Sequence, residues 1–397
     1  MTTPSDSSRD IPRPTAPRML VVGVGGGGIG ILNNALADWP DPPPVAAVNT
    51  DARSLEESPI PLRVALGRNV AKGLGSGGDA EIGRLAANED LDALRALVAN
   101  QDLLIMVAGL GGGTGTGVAP VLARIAREEG LMVLAYVTTP FTFEGTRRQE
   151  QAQEGLAALK QSADAVICMP NERLHALLPA GTPLREAFAF VDRMMTAGIR
   201  GLWTLLTRNN SLNLDFSDLQ SLVENSGNEC SFGYGEGSGP DKAEQALRSL
   251  LQGPMLEKGR ILVNSGAMIL SVIGGPDLSL SELEMIHRRF EEAARPGARI
   301  AMGAAVFDEW SDRLALTALV AEHWIPPALK ADALVFPAED ASPKAERRPR
   351  RGRRDARQAE LDLVSDRGRF QDVAPTIHEG ADLDIPTYIR RGIRIPS

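Results

Sequence analysis

The sequence predicts an α/β protein whose parallel sheet is covered by helices on both faces. Five apolar runs, each of about strand length, alternate with amphipathic stretches between Arg18 and Asn171. The runs are almost continuously apolar, which is typical of parallel strands buried on both faces. Glycine-rich segments follow the first and third runs, so two loops are expected at the carboxyl ends of strands in one sheet.

Each predicted element has its own sequence pattern. Helices are expected at residues 80–98 and 118–129, and a long amphipathic helix at residues 184–208, where apolar residues recur at helical spacing. The five strands are MLVVGVG from Met19, VAAVNTD from Val45, DLLIMVAG from Asp102, LMVLAYVTTP from Leu131 and ADAVICMPN from Ala163.

These elements divide the chain into six segments. Residues 337–375 are rich in Pro, Arg and Asp, which suits a flexible linker. The segments are a disordered N-terminal tail at 1–16, the five-strand domain at 17–183, the long helix at 184–208, a smaller α/β domain at 209–336, the linker at 337–375 and a C-terminal peptide at 376–397.

Composition and charge argue against several classes of protein. The 397 residues are 43% hydrophobic, no apolar run reaches membrane-spanning length, and the N-terminal tail lacks a signal-peptide core. Two cysteines make neither a disulfide framework nor a zinc site. The net charge is −9 even though residues 344–357 hold eight basic and only two acidic residues. The rest of the chain is therefore strongly acidic, which argues against nucleic acid as the main ligand. We expect a soluble, cytoplasmic protein.

The first glycine segment fits a dinucleotide-binding fingerprint. Residues 23–28 read GVGGGG between a predicted strand and a predicted helix, and Asp51 stands at the end of the next strand. Taken alone, this segment favours an NAD site, and a tight strand–helix turn is the simpler alternative. In both a phosphate site and a tight turn, glycine allows close approach of the backbone.

The second glycine segment decides between these hypotheses. Residues 109–117 read GLGGGTGTG and precede a helix expected to begin near Pro120. Its backbone N–H groups and two threonine hydroxyls suit phosphate oxygens. A dinucleotide-binding half needs one phosphate loop, so two loops in one sheet favour a triphosphate held from both sides.

GLGGGTGTG looks like the tubulin signature, and its surroundings resemble the FtsZ family of bacterial cell-division GTPases. The matching segments run in family order over about residues 18–330 and again at the C-terminus, while the lysine-containing P-loop motif is absent. They are VVGVGGGG, AVNTDARSL, GLGSGGDAEIGRLAANE, VAGLGGGTGTGVAPVLARIA, VTTPFTFEGTRR, MPNERL, NLDFSDL and LDIPTYIRR.

The resemblance implies a tubulin-like fold, in which residues 17–183 bind GTP or GDP with Mg²⁺ and the long helix leads to the smaller domain. It assigns guanine contacts to Asn171 and Asp192, with Phe188 packing on the ring. A carboxylate suits guanine because it can accept both the N1–H and N2–H₂ donors, a pair that adenine lacks. Without the resemblance, Asp192 would be a solvated helix-face charge.

The resemblance also assigns the residues around the phosphates and ribose. Glu144 and Arg148 are placed there, although residues four apart on a helix also form simple surface ion pairs. Many members carry Asn where this chain has Gly30 and a small residue where it has Ile29, so the rate of hydrolysis is left open. The remaining assigned residues are Gly26, Gly27, Gly28, Gly30, Asn49, Asp51, Gly77, Gly111, Gly112, Gly113, Thr114, Gly115 and Thr138.

An acidic segment follows the long helix. Asn213, Asp215 and Asp218 lie in NLDFSD, and the two carboxylates would share one face of a helical start. Helix capping explains such residues on its own. The resemblance instead implies that this loop enters the nucleotide site of the next subunit and completes hydrolysis there, so that turnover requires head-to-tail filaments.

The C-terminal peptide has the features of a short binding helix. Ile385, Tyr388 and Ile389 fall on one helical face, Pro386 suits a first turn, and Asp384 precedes while Arg390 and Arg391 follow. The alternative is a frayed chain end. The resemblance implies docking onto membrane adaptors and other division proteins without insertion into the membrane.

Together these observations predict a GTP-dependent, polymerising GTPase that forms the cytoskeletal ring of bacterial division, in the cytoplasm at mid-cell. A GTP-binding filament or scaffold paralogue with little hydrolysis is the first alternative. An NAD-dependent enzyme, supported only by GxGxxG and Asp51, is the second.

Overall fold

The computed structural model describes residues 16–322, apart from residues 38, 40, 176, 180, 208–211, 213 and 225, together with residues 377–378 and 381–382. The chain forms two compact units, Met1–Phe336 and Pro337–Ser397. The described part of the second unit is a pair of short antiparallel strands. Asn213 and the predicted partner-binding residues 384–391 lie outside the described residues.

The first unit is built on one ten-stranded sheet with the order β3-β2-β1-β4-β5-β6-β7-β10-β8-β9. The strands from β3 to β7 in this order run parallel, and β10 is antiparallel to both β7 and β8. Their bounds are β1 Met19–Val24, β2 Val45–Asn49, β3 Leu62–Ala65, β4 Leu103–Gly109, β5 Met132–Thr139, β6 Ala165–Pro170, β7 Glu229–Ser238, β8 Ala267–Gly274, β9 Arg299–Val306 and β10 Arg313–Ala321.

Alternate residues of the central strands enter two separate cores. In β4, Leu103, Ile105 and Val107 pack on one face of the sheet, while the intervening residues 104, 106 and 108 pack on the other. Because both faces are covered, nearly every position of these strands must be apolar. The predicted α/β class with a parallel-sheet core is therefore confirmed.

Twelve α-helices are described in this unit. The long helix α8 packs in the same core as α1, whereas α3 and α5 cover the opposite face. The bounds are α1 Gly25–Ala37, α2 Ala52–Glu56, α3 Ala80–Glu89, α4 Leu91–Val98, α5 Gly113–Glu128, α6 Thr146–Ser162, α7 Asn171–His175, α8 Leu184–Thr207, α9 Phe216–Glu224, α10 Lys242–Gln252, α11 Arg260–Asn264 and α12 Leu280–Ala293.

Two helices differ from the sequence prediction. Residues 80–98 form two helices rather than one, because Asp90 leaves the helical conformation and its carboxylate accepts a hydrogen bond from the Gly67 amide at 2.7 Å. Helix α5 begins at Gly113 instead of near Pro120. Its first turns pack tightly against α3, where a Cβ on Gly117 would lie 2.1 Å from the Ala80 carbonyl oxygen. Tertiary packing thus overrides the low helix propensity of glycine and threonine.

The strands after α8 surround a third core. It is formed by α10, α12 and the strands β8, β9 and β10, with Leu250, Phe290 and Leu316 at its centre. Because β6 pairs with β7, the same sheet continues from the strands that precede α8 into this region. Among the described helices, none combines the length and the apolar composition needed to cross a bilayer.

Candidate nucleotide site

The two glycine segments meet where the order of the strands reverses. Strand β1 lies beside β4, with β2 and β5 on their outer sides, and such a switch point opens a crevice at the carboxyl ends of the strands. A Cβ on Gly28 would lie 2.0 Å from the Val107 carbonyl oxygen, so α1 starts directly against β4. The first turns of α1 and α5 therefore face one crevice, and their free N–H groups suit phosphate oxygens.

The predicted phosphate-loop residues are brought together at this crevice. Gly26, Gly30 and Gly77 border open space, because a Cβ built on any of them meets no atom within 4 Å. The predicted residues lie in the first turns of α1 (Gly26, Gly27, Gly28 and Gly30), in the loop before α3 (Gly77), before α5 (Gly111 and Gly112) and in its first turn (Gly113, Thr114 and Gly115).

Three buried hydroxyls connect the phosphate loops. The hydroxyl oxygen of Thr114 lies 2.7 Å from that of Thr50 and 3.2 Å from that of Ser76. Three hydroxyl protons serve only two of these hydrogen bonds, so at least one proton is available to an outside acceptor. The resemblance covers the loops at residues 49–51 and 71–78, but the sequence alone did not single out Thr50 and Ser76, although their hydroxyls inside NTD and GLGSGG were an available signal.

Three other predicted residues shape these loops. The Asn49 side-chain oxygen accepts a hydrogen bond from the Thr50 backbone N–H at 2.9 Å, and Asp51 caps α2 by accepting from the Ser54 N–H at 3.2 Å. The Thr138 carbonyl at the end of β5 accepts from the Leu110 N–H at 2.9 Å. Direct contact of Asn49, Asp51 and Thr138 with nucleotide stays a prediction.

Glu144 and Arg148 form the ion pair that their spacing alone predicts. The Glu144 carboxylate lies 2.6 Å from the Arg148 guanidinium and also accepts from the Phe141 N–H at 2.9 Å. The start of α6 borders the second glycine loop, because Gln151 donates to the Gly111 carbonyl at 3.1 Å. Their predicted contact with ribose and phosphates remains open.

Asn171 begins α7 directly after β6, so it lies at the same edge of the sheet as the two glycine loops, beyond β5. It is only 6% exposed, and its side-chain oxygen is the one buried side-chain polar atom among the described residues that has no hydrogen-bond partner. Such an atom costs free energy unless a ligand satisfies it. The vacant acceptor suits a donor such as a guanine N–H.

Helix α8 carries the remaining predicted base residues. Phe188 makes an edge-to-face contact with Phe141 at 5.5 Å between ring centroids, and Phe143 stacks on Phe141 at 5.0 Å. Asp192 accepts a hydrogen bond from the Asn34 side chain of α1 at 2.6 Å. Phe188, Asp192 and Asn34 line a cleft of about 1530 Å³ that continues along α8.

Burial raises the pKa of Asp192, while the Asn34 hydrogen bond and the Arg193 charge act in the opposite direction. Sequence reasoning missed Asn34 and the aromatic partner Phe141. Asn34 gave no signal, because 158 positions separate it from Asp192.

The acidic segment lies at the other end of α8. Helix α8 has 24 residues and is therefore about 36 Å long. Asp215 and Asp218 are both exposed, and the Asp218 carboxylate accepts from the Asp215 N–H at 3.2 Å as α9 begins. The capping role is thus present, and the structure does not bring these carboxylates to the phosphate loops of their own chain. Two hydrogen bonds between Leu212 and Ala304, at 2.9 and 3.2 Å, anchor the approach to this segment on β9.

Comparisons with known proteins agree with this geometry. Residues 18–179 match the model of the tubulin/FtsZ family GTPase domain, and residues 229–323 match that of the FtsZ family C-terminal domain. An FtsZ dimer from M. jannaschii is 31% identical, with a TM-score of 0.72, over 77% of this chain and 88% of that one. The chain belongs to the tubulin/FtsZ family.

A second relative extends the comparison within the tubulin/FtsZ family. CetZ2 from Haloferax volcanii, solved as a GTPγS-bound protofilament, is 25% identical with a TM-score of 0.62, over 76% of this chain and 92% of that one. The tubulin-like fold is confirmed, and the nucleotide of this family's GTPase domain is GTP or GDP. The hypothesis of an NAD-dependent enzyme is accordingly set aside.

Proposed function

We propose that this chain is a GTP-dependent, polymerising GTPase whose hydrolysis is completed by the acidic segment of the adjacent subunit. The observation that carries the proposal is the place of Asp215 and Asp218 in the fold. Leu212, just before them, pairs with Ala304 of the edge strand β9, whereas the two glycine loops follow β1 and β4, and five strands lie between β4 and β9. The phosphate loops and the exposed carboxylates of one chain therefore lie apart. In a head-to-tail arrangement, the carboxylates of one subunit would meet the phosphate loops of the next and form one complete site. Such heterologous contacts do not close and therefore generate filaments.

The base end supports guanine as the recognised base. Asp192 offers carboxylate oxygens to the N1–H and N2–H₂ donors, and Asn171 offers a buried oxygen that lacks a partner. Adenine has an acceptor at N1 and no amino group at C2. ATP would therefore leave the buried Asn171 oxygen without a donor and would offer Asp192 no matching pair of donors, and unpaired buried groups are what reject the wrong substrate.

The phosphate end supports a nucleotide phosphate chain with Mg²⁺. The hydroxyls of Thr50, Ser76 and Thr114 fit a hard cation that prefers oxygen ligands. Among the described residues no group of three His, Cys, Asp or Glu could hold a metal. When bound, Mg²⁺ neutralises charge on the phosphoryl oxygens. The loop N–H groups bind and orient the same oxygens.

The acidic segment supplies what the phosphate loops lack. Asp215 and Asp218 of the neighbouring subunit would orient an attacking water and accept its proton. Their exposure leaves them accessible to a neighbour. Two carboxylates held permanently beside a triphosphate would repel it, and delivery by a second subunit restricts this repulsion to the assembled filament.

We further propose that the filament forms the ring at the bacterial division site, on the cytoplasmic face of the membrane at mid-cell. The C-terminal peptide would recruit it through membrane adaptors. This part of the proposal depends on the sequence resemblance and on the FtsZ relative.

One observation favours the alternative of a GTP-binding scaffold with little hydrolysis. The space above Gly30 is open, so a side-chain amide found there in many family members is missing from the crevice. The intact Asp215 and Asp218 favour hydrolysis. A measured turnover number separates the two functions.

The test is GTP hydrolysis as a function of protein concentration. Specific activity should rise with concentration, and Asp215→Ala should retain GTP binding while losing turnover. Mixing Asp215→Ala with a binding-defective variant, Asp192→Ala, should restore activity at hybrid interfaces. Asp241→Ala removes an exposed carboxylate at the start of α10 and should behave like the parent chain. Activity independent of concentration, without rescue in mixtures, would show that each subunit is complete.

A further inference from the structure

The hydrogen bond between Asn34 and Asp192 connects the two helices that border the base end of the site. The Asn34 amide nitrogen on α1 lies 2.6 Å from one carboxylate oxygen of Asp192 on α8. An ionised carboxylate can only accept, so the nitrogen of the amide must face it. Among the described residues, Asn34 is the one side chain that donates to this carboxylate.

This contact fixes the direction of the carboxylate. A hydrogen bond to an ionised group is short and strong, and it restricts rotation about the Cβ–Cγ bond of Asp192. One oxygen accepts from Asn34 and keeps a further lone-pair site, so both oxygens, held in a set orientation beside the cleft, can still accept from a base. Asp192 is half-buried, whereas Asn34 is exposed, so α1 supplies the restraint from outside the packed core.

Asn34 is the residue of α1 that can hold Asp192, because Gly30, on the same face of the helix, has no side chain. Residues four apart on a helix lie one above the other on the same face. The neighbouring Asn33 is occupied elsewhere, because its side-chain oxygen accepts from the Ser58 hydroxyl at 2.8 Å. The amide that reaches the base end from α1 therefore comes from Asn34.

We propose that Asn34 is a specificity-determining residue that fixes Asp192 for recognition of the 2-amino group of guanine. The inference rests on the proposed guanine contact of Asp192. A fixed carboxylate matches the spacing of the N1–H and N2–H₂ donors and cannot turn to compensate for a missing one. A freely rotating carboxylate adapts to hypoxanthine, which retains N1–H but lacks the 2-amino group.

The test compares the binding of GTP and ITP to the full chain, at a protein concentration below that of assembly. In Asn34→Ala, the ratio of GTP to ITP affinity should fall about threefold to tenfold, the range of one hydrogen bond. Asn34→Asp places a second carboxylate opposite Asp192 and should lower the ratio further, whereas Asn34→Gln keeps the amide and should restore part of it. Asn33→Ala, the matched control, should keep the parent ratio.

The outcomes separate this inference from the function on which it rests. If Asp192→Ala removes the preference for GTP while Asn34→Ala keeps the parent ratio, the role of Asn34 is wrong and the guanine contact stands. Equal losses of GTP and ITP affinity in Asn34→Ala indicate a structural role and also overturn the inference. A parent chain that does not prefer GTP over ITP overturns the guanine contact itself, and the inference with it.

Discussion

The two ends of the candidate nucleotide site differ in whether backbone or side chains form them. The phosphate end consists mainly of backbone, namely the first turns of α1 and α5 and the loop around Gly77. The base end consists of side chains, with Asn171, Asp192 and Phe188 contributed by the two helices α7 and α8, which follow β6. The phosphate end needs the absence of Cβ atoms, whereas the base end needs particular functional groups.

This difference determines how each end responds to substitution. Backbone packed on backbone has no rotamer with which to relieve an added atom, so a methyl group at the wrong glycine disturbs the fold itself. The side chains of the base end are proposed to make their hydrogen bonds with the nucleotide, so we expect their removal to have little effect on the core. We therefore expect damage to stability at the phosphate end and damage to selectivity at the base end.

The largest expected effect is a difference in the free energy of unfolding between alanine substitutions at two glycines of α1. A Cβ on Gly28 would lie 2.0 Å from the Val107 carbonyl oxygen in the buried strand β4, whereas a Cβ on Gly26 meets nothing within 4 Å. Gly28→Ala should lower the free energy of unfolding by about 3 kcal/mol or more. Gly26→Ala should keep or slightly raise it, since alanine favours helix, yet weaken GTP binding by filling the crevice. Thermal unfolding and GTP titration of both variants check this, and equal stability of the two would contradict it.

The phosphate end was largely predictable from the sequence. Glycines after an apolar strand indicate that backbones approach each other closely there, and the carboxyl ends of parallel strands meet at one edge of the sheet. The pattern did not reveal that Gly113–Gly117 are helical. Local propensity disfavours helix there, and only the packing of α5 on α3 explains it.

The base end could be predicted only through the resemblance. Nothing near Asp192 in the sequence distinguishes it from a solvated charge, and its partner Asn34 lies 158 positions away. The vacant oxygen of Asn171 likewise appears only when α7 is packed in place. Side-chain sites assembled from distant helices leave no periodic signal, because each helix contributes only one or two positions.

Two buried asparagines, one at each end of the site, test the same contrast between stability and nucleotide affinity, with smaller expected changes. Asn49 at the phosphate end accepts a hydrogen bond from the Thr50 N–H, whereas the Asn171 oxygen at the base end has no partner within the described chain. Asn49→Ala leaves a buried N–H unpaired and should lower the free energy of unfolding of the nucleotide-free protein by about 1–3 kcal/mol. Asn171→Ala should change it by less than about 1 kcal/mol and instead weaken GTP binding about tenfold to a hundredfold.

Chemical denaturation without nucleotide, followed by GTP titration, measures both quantities on the same samples. The design is informative because the two substitutions remove the same atoms from two sites that are almost equally buried. Strong destabilisation by Asn171→Ala in the absence of nucleotide would mean that its side chain serves the fold, and the contrast between the two ends would be lost.

The smallest expected effect is a dependence of guanine recognition on pH. Burial raises the pKa of Asp192 in the nucleotide-free protein, with Asn34 and Arg193 acting in the opposite direction. Because the folded-state pKa lies above the unfolded one, the ionised carboxylate lowers stability above its folded-state pKa, and this cost is relieved as pH falls. Binding has the opposite sign, since only the ionised form accepts both guanine donors. Acidification should therefore favour the nucleotide-free fold at this residue while weakening its affinity for GTP.

The measurement is GTP affinity between pH 5 and pH 8 for the parent chain and for Asp192→Asn, which keeps the shape of the side chain without its titration. The phosphates of GTP also titrate near pH 6, but they do so equally with both proteins and cancel in the ratio of the two affinities. That ratio should decline toward low pH, beginning above the range of an exposed aspartate, because burial has moved the titration upward. Asn34→Ala removes the hydrogen bond that favours the charged form, so its decline should begin at a still higher pH. A ratio that stays flat across this range would mean that Asp192 does not bind the base as a carboxylate. Recognition at the base end would then depend on Asn171 and on ring packing by Phe188.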